Sequence, residues 1–317
     1  MIRSANQNRP PVANRAAACH GDILSEWIVD AESAGKRLDR TAAEHADEFP
    51  SRKAAYKAAK KQRLLVNGEP AAPNAILKTG DRVSVRSPEK PPDPLDLPLD
   101  VHFEDDILAV VTKPPGIPTS GNYARTLARA LPANLSPSPR ADTLPAPHPV
   151  HRLDSPTGGL LLVAKTAGAA MALGQQFETG TVTKRYRAIL VGRLTPETDT
   201  IELELDGKPS HTDYRVVEYS RSLSVGWLTL VDLFPRTGRT HQLRQHMAGR
   251  GNPILGDRSY GKGHKILRGK GLFLWAVELT FTHPESGDAV TCITDAPPKF
   301  KTYIMREKRR YDEKSAD

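Results

Sequence analysis

The short apolar-rich stretches "KRYRAILVG" (184–192), "TDYRVVEY" (212–219) and "WLTLVDLF" (227–234) predict strands, in which side chains repeat with a period of two. "ILAVVTKPPGIPTS" (107–120) predicts a strand ending in a Pro/Gly turn, and "GLLLVAKT" (159–166) a second, fully buried strand. "LFLWAVELTFTHPESGDAVTCITDAP" (272–297) predicts a closing hairpin. The period lengthens at 168–179, where Leu173 and Phe177 lie one turn apart and Gly180 stops a helix. It lengthens again at 240–249, a short helix with Thr240 as cap, Leu243 and Met247 facing the core and Gly249 as stop. The stretch 121–149, rich in Pro and Ala, predicts a loop with one helical turn or two. Sequential strands of mostly non-parallel pattern with helices between them give an α+β fold, a large and mainly antiparallel mixed sheet flanked by helices.

A smaller unit precedes this one. A helix over about Lys36–Glu48 leads to a second that opens at Ser51, an N-cap after Pro50, and runs to about Gln62. "LLVNGEP" then carries an Asn-Gly turn signal, and "ILKTGDRVSV" (76–85) alternates as a strand. Between the units, "SPEKPPDPLDLPLD" (87–100) holds five prolines in fourteen positions and predicts a stiff linker. The expected organisation is therefore a basic disordered tail (1–22), a small α/β domain (23–86), the linker (87–100), a large domain (101–308) and a short tail (309–317).

Charge adds a partner to this picture. The 317-residue chain has a formal net charge of +8 and a pI near 9.4, which favours a polyanion. In "RKAAYKAAKKQR" (52–63) six basic residues occur without an acid, and Lys53, Lys57, Lys60 and Lys61 share a helical face. Such a face is either merely solvated or meets phosphates. No apolar run approaches the roughly 20 residues of a membrane helix. The N-terminal stretch with Arg3, Arg9 and Arg15 has the composition of a transit peptide, but Pro10-Pro11 interrupts any amphipathic helix. Cys19 and Cys292 have no metal or redox spacing and fit reduced thiols in a cytoplasm.

The chemistry is narrowed by what is missing. Walker, dinucleotide-binding and His-Glu-Xaa-Xaa-His patterns are absent, as is a serine-hydrolase elbow. His241 and His246 are five apart, the wrong interval for two ligands on one helix face, and fit RNA contacts or packing. Carboxylate chemistry remains. In "HRLDSPTGG" (151–159), Asp154 stands just before a buried strand with Arg152 beside it across Leu153. In "PRTGRTHQLRQHMAGRGNPILGDRSYG" (235–261), Arg236, Arg239, Arg244 and Arg250 precede the first acid, Asp257. An arginine from this helix could pair with Asp154 and keep it ionised.

These residues carry a resemblance. "KPPG" (113–116), "HRLD" (151–154), Lys184-Arg185-Tyr186, "GRTHQLR" (238–244) and "GDRSYG" (256–261), in this order, resemble the RluA-type RNA pseudouridine synthases over about 101–300. The preceding unit, with "RLD" (37–39), "SR" (51–52), "VNG" (66–68) and "GD" (80–81), resembles the small RNA-binding domain first known from a small-subunit ribosomal protein. Two departures stand out. Gly158 occupies a position where the family usually has serine, and Trp275 one where it usually has histidine.

The resemblance implies an isomerase that cleaves the bond from ribose to uracil nitrogen, turns the base and rejoins it through carbon five, without a cofactor. It implies Asp154 as nucleophile, Arg244 as its ion-pair partner, and Tyr186 lying on the base and helping to remove the carbon-five proton. Arg152 is expected to fill the gap left by the flipped uridine. Arg52, Lys53, Lys57, Lys60, Lys61 and Arg239 are expected RNA contacts. The expected partner is structured RNA, ribosomal RNA of the large subunit before transfer RNA, with a monomeric protein in the cytoplasm. Two rivals are a catalytically silent RNA-binding protein on the same fold, which would be expected to lose Asp154 or Arg244, and a carboxylate glycoside hydrolase. The hydrolase would need a second carboxylate beside the first, whereas the motifs around Asp154 supply cations.

Overall fold

The computed structural model describes residues 22–87, 93–261 and 269–316. The chain divides at residues 91 and 92 into two compact units. The expected N-terminal tail, apart from Asp22, lies outside the described residues.

The first unit contains β1 (Ile23–Ile28), α1 (Leu38–His45), α2 (Arg52–Lys60), β2 (Leu64–Val66), β3 (Glu69–Pro70) and β4 (Arg82–Arg86). The strands form an antiparallel sheet in the order β1-β4-β2-β3. Ser51 caps α2, its hydroxyl accepting from the Ala54 N–H at 3.3 Å. Asn67 and Gly68 both adopt positive φ (54° and 87°), as the tight turn between β2 and β3 requires. One side of α2 packs Ala55, Ala58 and Ala59 against Leu38, Leu64 and Val83. The basic residues occupy the other side. The first helix is shorter than its pattern suggested, and β1 was not anticipated.

The second unit is a ten-stranded sheet whose main path runs β10-β11-β12-β9-β13-β8-β6-β5, with β14 on β13 and β7 on β8. The strands are β5 (Val101–Glu104), β6 (Leu108–Lys113), β7 (Thr143–Pro149), β8 (Gly158–Thr166), β9 (Thr183–Val191), β10 (Thr198–Leu205), β11 (Lys208–Ser222), β12 (Gly226–Pro235), β13 (Leu274–Thr282) and β14 (Ala289–Ile293). The helices are α3 (Leu127–Asn134), α4 (Ala167–Thr179), α5 (Gln242–Gly249) and α6 (Lys299–Ala316). Every pairing is antiparallel except β8 with β13, so the expected α+β class holds. Strand β8 is buried throughout, which explains its unbroken apolar run. Leu161 and Val163 join one core with α3 and α5, while Leu160 and Leu162 join another with α4.

Three expectations are corrected. Residues 93–100 belong to the second unit and are not free linker: the Arg129 carbonyl accepts from the Leu95 N–H at 2.8 Å, and the Asn134 side chain bonds the backbone of Leu97 and Leu99. Residues 309–316 are not a tail but continue α6, which is anchored where buried Glu307 accepts from Ser222 and Ser224. The cap of α5 is His241, at φ +54°, not Thr240, while the helix does end at Gly249.

Candidate active site

The loop between β7 and β8 carries "HRLD", in which Leu153 is buried between exposed Arg152 and half-buried Asp154. The Leu153 N–H and C=O both bond the Thr119 hydroxyl, at 3.1 and 3.0 Å. His151 also turns inward. Its ring stacks on Phe177 at 4.5 Å, and its Nε2 accepts from the Leu162 N–H at 3.0 Å. Burial, with help from the Lys184 charge, lowers the His151 pKa to about 3, so the ring is neutral and serves as an anchor. With 151 and 153 fastened, Arg152 and Asp154 point outward. Arg152 is exposed and the Asp154 side chain is 17% exposed.

A second fastening comes from the turn after β6. Lys113 has no exposed surface, and its ammonium donates to the carbonyls of Pro114 (2.9 Å), Thr157 (2.8 Å) and Ser155 (3.3 Å). The Gly116 N–H, from a glycine at φ +95°, bonds the Ser155 carbonyl at 2.7 Å. "KPPG" is thus a clasp on the loop that carries Asp154. Burial pulls the Lys113 pKa down to about 8, against the Asp154 charge, which raises it.

Helix α5 delivers Arg244, whose side chain is 5% exposed, and its Nη1 donates to Asp154 Oδ2 at 3.3 Å. The other edge of the guanidinium is held by Asp257: Nε donates to Oδ2 at 2.7 Å and Nη2 to Oδ1 at 2.9 Å, with Ser259 Oγ at 3.0 Å. Burial opposes the Arg244 charge, but Asp257 first and then Asp154 outweigh it, so its pKa is raised. Burial likewise opposes the Asp257 charge, yet Arg244 and two backbone N–H groups bring its pKa below the usual range. Asp257 is therefore an aiming group that leaves one guanidinium edge for Asp154. The Gly-Asp motif was visible in the sequence without this role. Its signal was a lone acid closing a run of arginines.

His241 was assigned to RNA contact or packing together with His246, and the structure separates them. His246 is fully buried with Nε2 2.8 Å from Ser210 Oγ, a packing position. His241 stands with Nε2 3.8 Å from Asp154 Oδ1 and Nδ1 2.9 Å from the Tyr260 hydroxyl. Its left-handed backbone, uncommon for a residue other than glycine, turns the ring toward the aspartate.

Tyr186 on β9 lies between Leu233 of β12 and Ala276 of β13 in register and is 9% exposed. Burial and then the Asp154 charge raise its pKa, so the ring is a neutral phenol, not a phenolate base. Asp154, Tyr186, Arg152, Arg239, His241 and Arg244 line one cleft of about 690 Å³. Arg239 is half-buried, with Nε 3.3 Å from the Pro209 carbonyl. In the first unit, Lys53, Lys57, Lys60 and Lys61 are exposed on α2, whereas Arg52 spends its Nε on buried Asp39 at 3.1 Å.

A carboxylate paired with Arg244, in one cleft with a nearly buried tyrosine and further arginines, suits chemistry on a polyanionic substrate. Residues 107–249 match the RNA pseudouridylate synthase family. The chain is 33% identical over 305 residues to the ribosomal large subunit pseudouridine synthase D of Xanthomonas campestris, covering 86% of this chain and 89% of that one. It is 32% identical over 307 residues to an uncharacterized RNA pseudouridine synthase of Aquifex aeolicus, covering 87% and 95%. Among solved structures, human RNA pseudouridylate synthase domain containing 1 is similar with a TM-score of 0.53 and 28% identity, over 64% of this chain and 84% of that one. The chain belongs to the RNA pseudouridylate synthase family and is an RNA pseudouridine synthase of the RluA type.

Proposed function

We propose that this enzyme isomerises uridines of large-subunit ribosomal RNA, acting in the cytoplasm. Support for the substrate comes from relatives named as ribosomal large subunit pseudouridine synthase D, with 33–34% identity in Xanthomonas campestris and Neisseria meningitidis. The observation that carries the catalytic assignment is Asp154 at the mouth of the cleft, its Oδ2 3.3 Å from Arg244 and its partner group Asp257 fixing that arginine from behind.

In this reading Asp154 attacks the ribose anomeric carbon or the base as a carboxylate, a nucleophile that needs no general base to deprotonate it. The bond from C1′ to N1 breaks, the base turns against the Tyr186 ring, C1′ bonds to C5, the bond made by Asp154 is broken to restore its carboxylate, C5 gives its proton to solvent and N1 gains one. Tyr186 acts as a neutral platform and hydrogen-bonding phenol. Arg152 occupies the space vacated by the extruded uridine, and Arg239 meets the backbone at the rim. Residues 23–86 form an RNA-binding domain that contacts phosphates through Lys53, Lys57, Lys60 and Lys61, and Arg52 is chiefly a strut for α1 against α2. Mapping pseudouridines in total RNA from cells with and without the gene tests the substrate: loss confined to transfer RNA overturns the ribosomal assignment. Asp154→Asn should abolish tritium release from uracil labelled at carbon five while RNA binding persists, and substantial release by this variant would overturn the mechanism.

A further inference from the structure

Arg152 and Asp154 stand on a ridge with a cleft on each side. The cleft described above contains Tyr186. The second, of about 630 Å³, shares Arg152, Asp154, His241 and Arg244 with it but is walled by different residues. Pro118 and Tyr123 come from the segment after β6, Pro156 from the loop before β8, and Arg258 from the turn after α5. Tyr123 is 65% exposed. Arg152 and Arg258 are exposed, and among the described residues neither has a carboxylate partner. The carboxylates bordering this cleft are already engaged, since Asp154 and Asp257 both bind Arg244.

The second cleft thus offers an open aromatic face, two proline rings and unpaired guanidiniums. Aromatic faces stack nucleobases regardless of sequence, and guanidiniums bind phosphate through a planar fork. Its volume falls within the range of sites that hold small ligands. We propose that it receives the nucleotide adjoining the target uridine in the same RNA strand, with the base on Tyr123 and a phosphate at Arg258. Two consecutive nucleotides then leave the RNA stack together and straddle the ridge. The geometry follows from chain continuity. With the target ribose at Asp154, the strand leaves the first cleft across the ridge and enters the second, where the exposed Arg258 guanidinium meets the connecting phosphodiester. The proposal rests on the first cleft being the uridine pocket.

Tyr123→Ala and Arg258→Ala test it on a hairpin RNA containing the mapped target uridine, with tritium release as the readout. Tyr123→Ala should raise KM about tenfold and leave kcat within about twofold. Removing the neighbouring base from the RNA, as an abasic nucleotide on the correct side of the target, should raise the wild-type KM similarly and erase the difference between wild type and Tyr123→Ala. Arg258→Ala should raise KM and reduce the log–log salt slope of binding by roughly one unit or less. An unchanged KM in both variants, or a Tyr123→Ala effect that persists with an abasic nucleotide on either side, overturns the proposal while leaving the enzyme's activity standing. If the wild-type protein itself releases no tritium, the uridine-pocket reading falls and this inference with it.

Discussion

Lys113 shows how a residue far from the substrate can still set the chemistry. Its ammonium holds three carbonyls, two of them in the loop that presents Asp154. A neutral amine has only two hydrogens for those acceptors. With a pKa of about 8 in the fold and about 10.4 in an unfolded chain, the lysine loses its proton first in the folded state. Between those values the unfolded chain binds more protons, so the contribution of this group to stability rises with pH. Turnover should nonetheless fall as pH climbs through about 8, because the clasp weakens while the fold does not. Lys113→Met should have low turnover without an inflection near pH 8, and a wild-type profile flat through that pH would show that the clasp needs no charge. Arg244 and Arg152 separate on the same scale. Arg244→Ala strands two carboxylates, at a cost of about 3–5 kcal/mol for a buried pair, so activity and melting temperature should fall together, with Arg244→Lys only partly restoring them. Arg152→Ala should leave the melting temperature nearly unchanged and reduce turnover most on structured RNA. A large drop in its stability, or equal losses on an unpaired loop, would make Arg152 structural. Asp154, Arg152 and Arg244 were legible because charges at the edge of a buried strand and in a basic helix stand out locally. Lys113, Asp257 and His241 were not, because each acts across a contact that only folding creates.

Elements with strong local signals were read nearly in place. Ser51 opens α2 and Gly180, at φ +74°, closes α4. The edge strands β1 and β10 were missed because most of their side chains are exposed and the alternation is diluted. Helix α6 carries Phe300, Tyr303 and Ile304 at helical spacing, but its dense charge concealed the stripe and its fourth buried position is a glutamate. The parallel pair β8–β13 shows a subtler failure of local reading. Gly158 and Trp275, noted as two separate departures from the family pattern, face each other in register. A Cβ on Gly158 would lie 2.2 Å from Trp275 Cζ3, so the small residue makes room for the large one. Gly158→Ser should therefore cost at least the 1–3 kcal/mol (about) of ordinary overpacking. Combining it with Trp275→His should recover most of that loss, with a coupling of about 0.5–3 kcal/mol in urea unfolding. Strictly additive costs would mean that the two positions vary independently.

For the whole molecule, the α+β class and the order of the two units were legible from pattern and proline content, whereas the point where linker becomes domain was not. Residues 93–100 look like linker because proline dominates them, yet their backbone groups find partners on α3 that no local pattern announces. The net charge of +8 describes the sum and not its distribution. On α2, exposed Lys53, Lys57, Lys60 and Lys61 oppose a side built of buried alanines, so these lysines contribute little to the core and are free to meet phosphate. Replacing all four with alanine should preserve the fold, since alanine favours helix. The variant should weaken RNA binding and reduce the log–log salt slope by up to about 0.9 per lost contact on a duplex. Turnover at saturating RNA should survive, because Asp154, Arg244 and Tyr186 all belong to the second unit. A binding isotherm with the wild-type salt slope would show that these lysines only solvate the helix, and would remove the RNA-binding assignment from this face of the first unit.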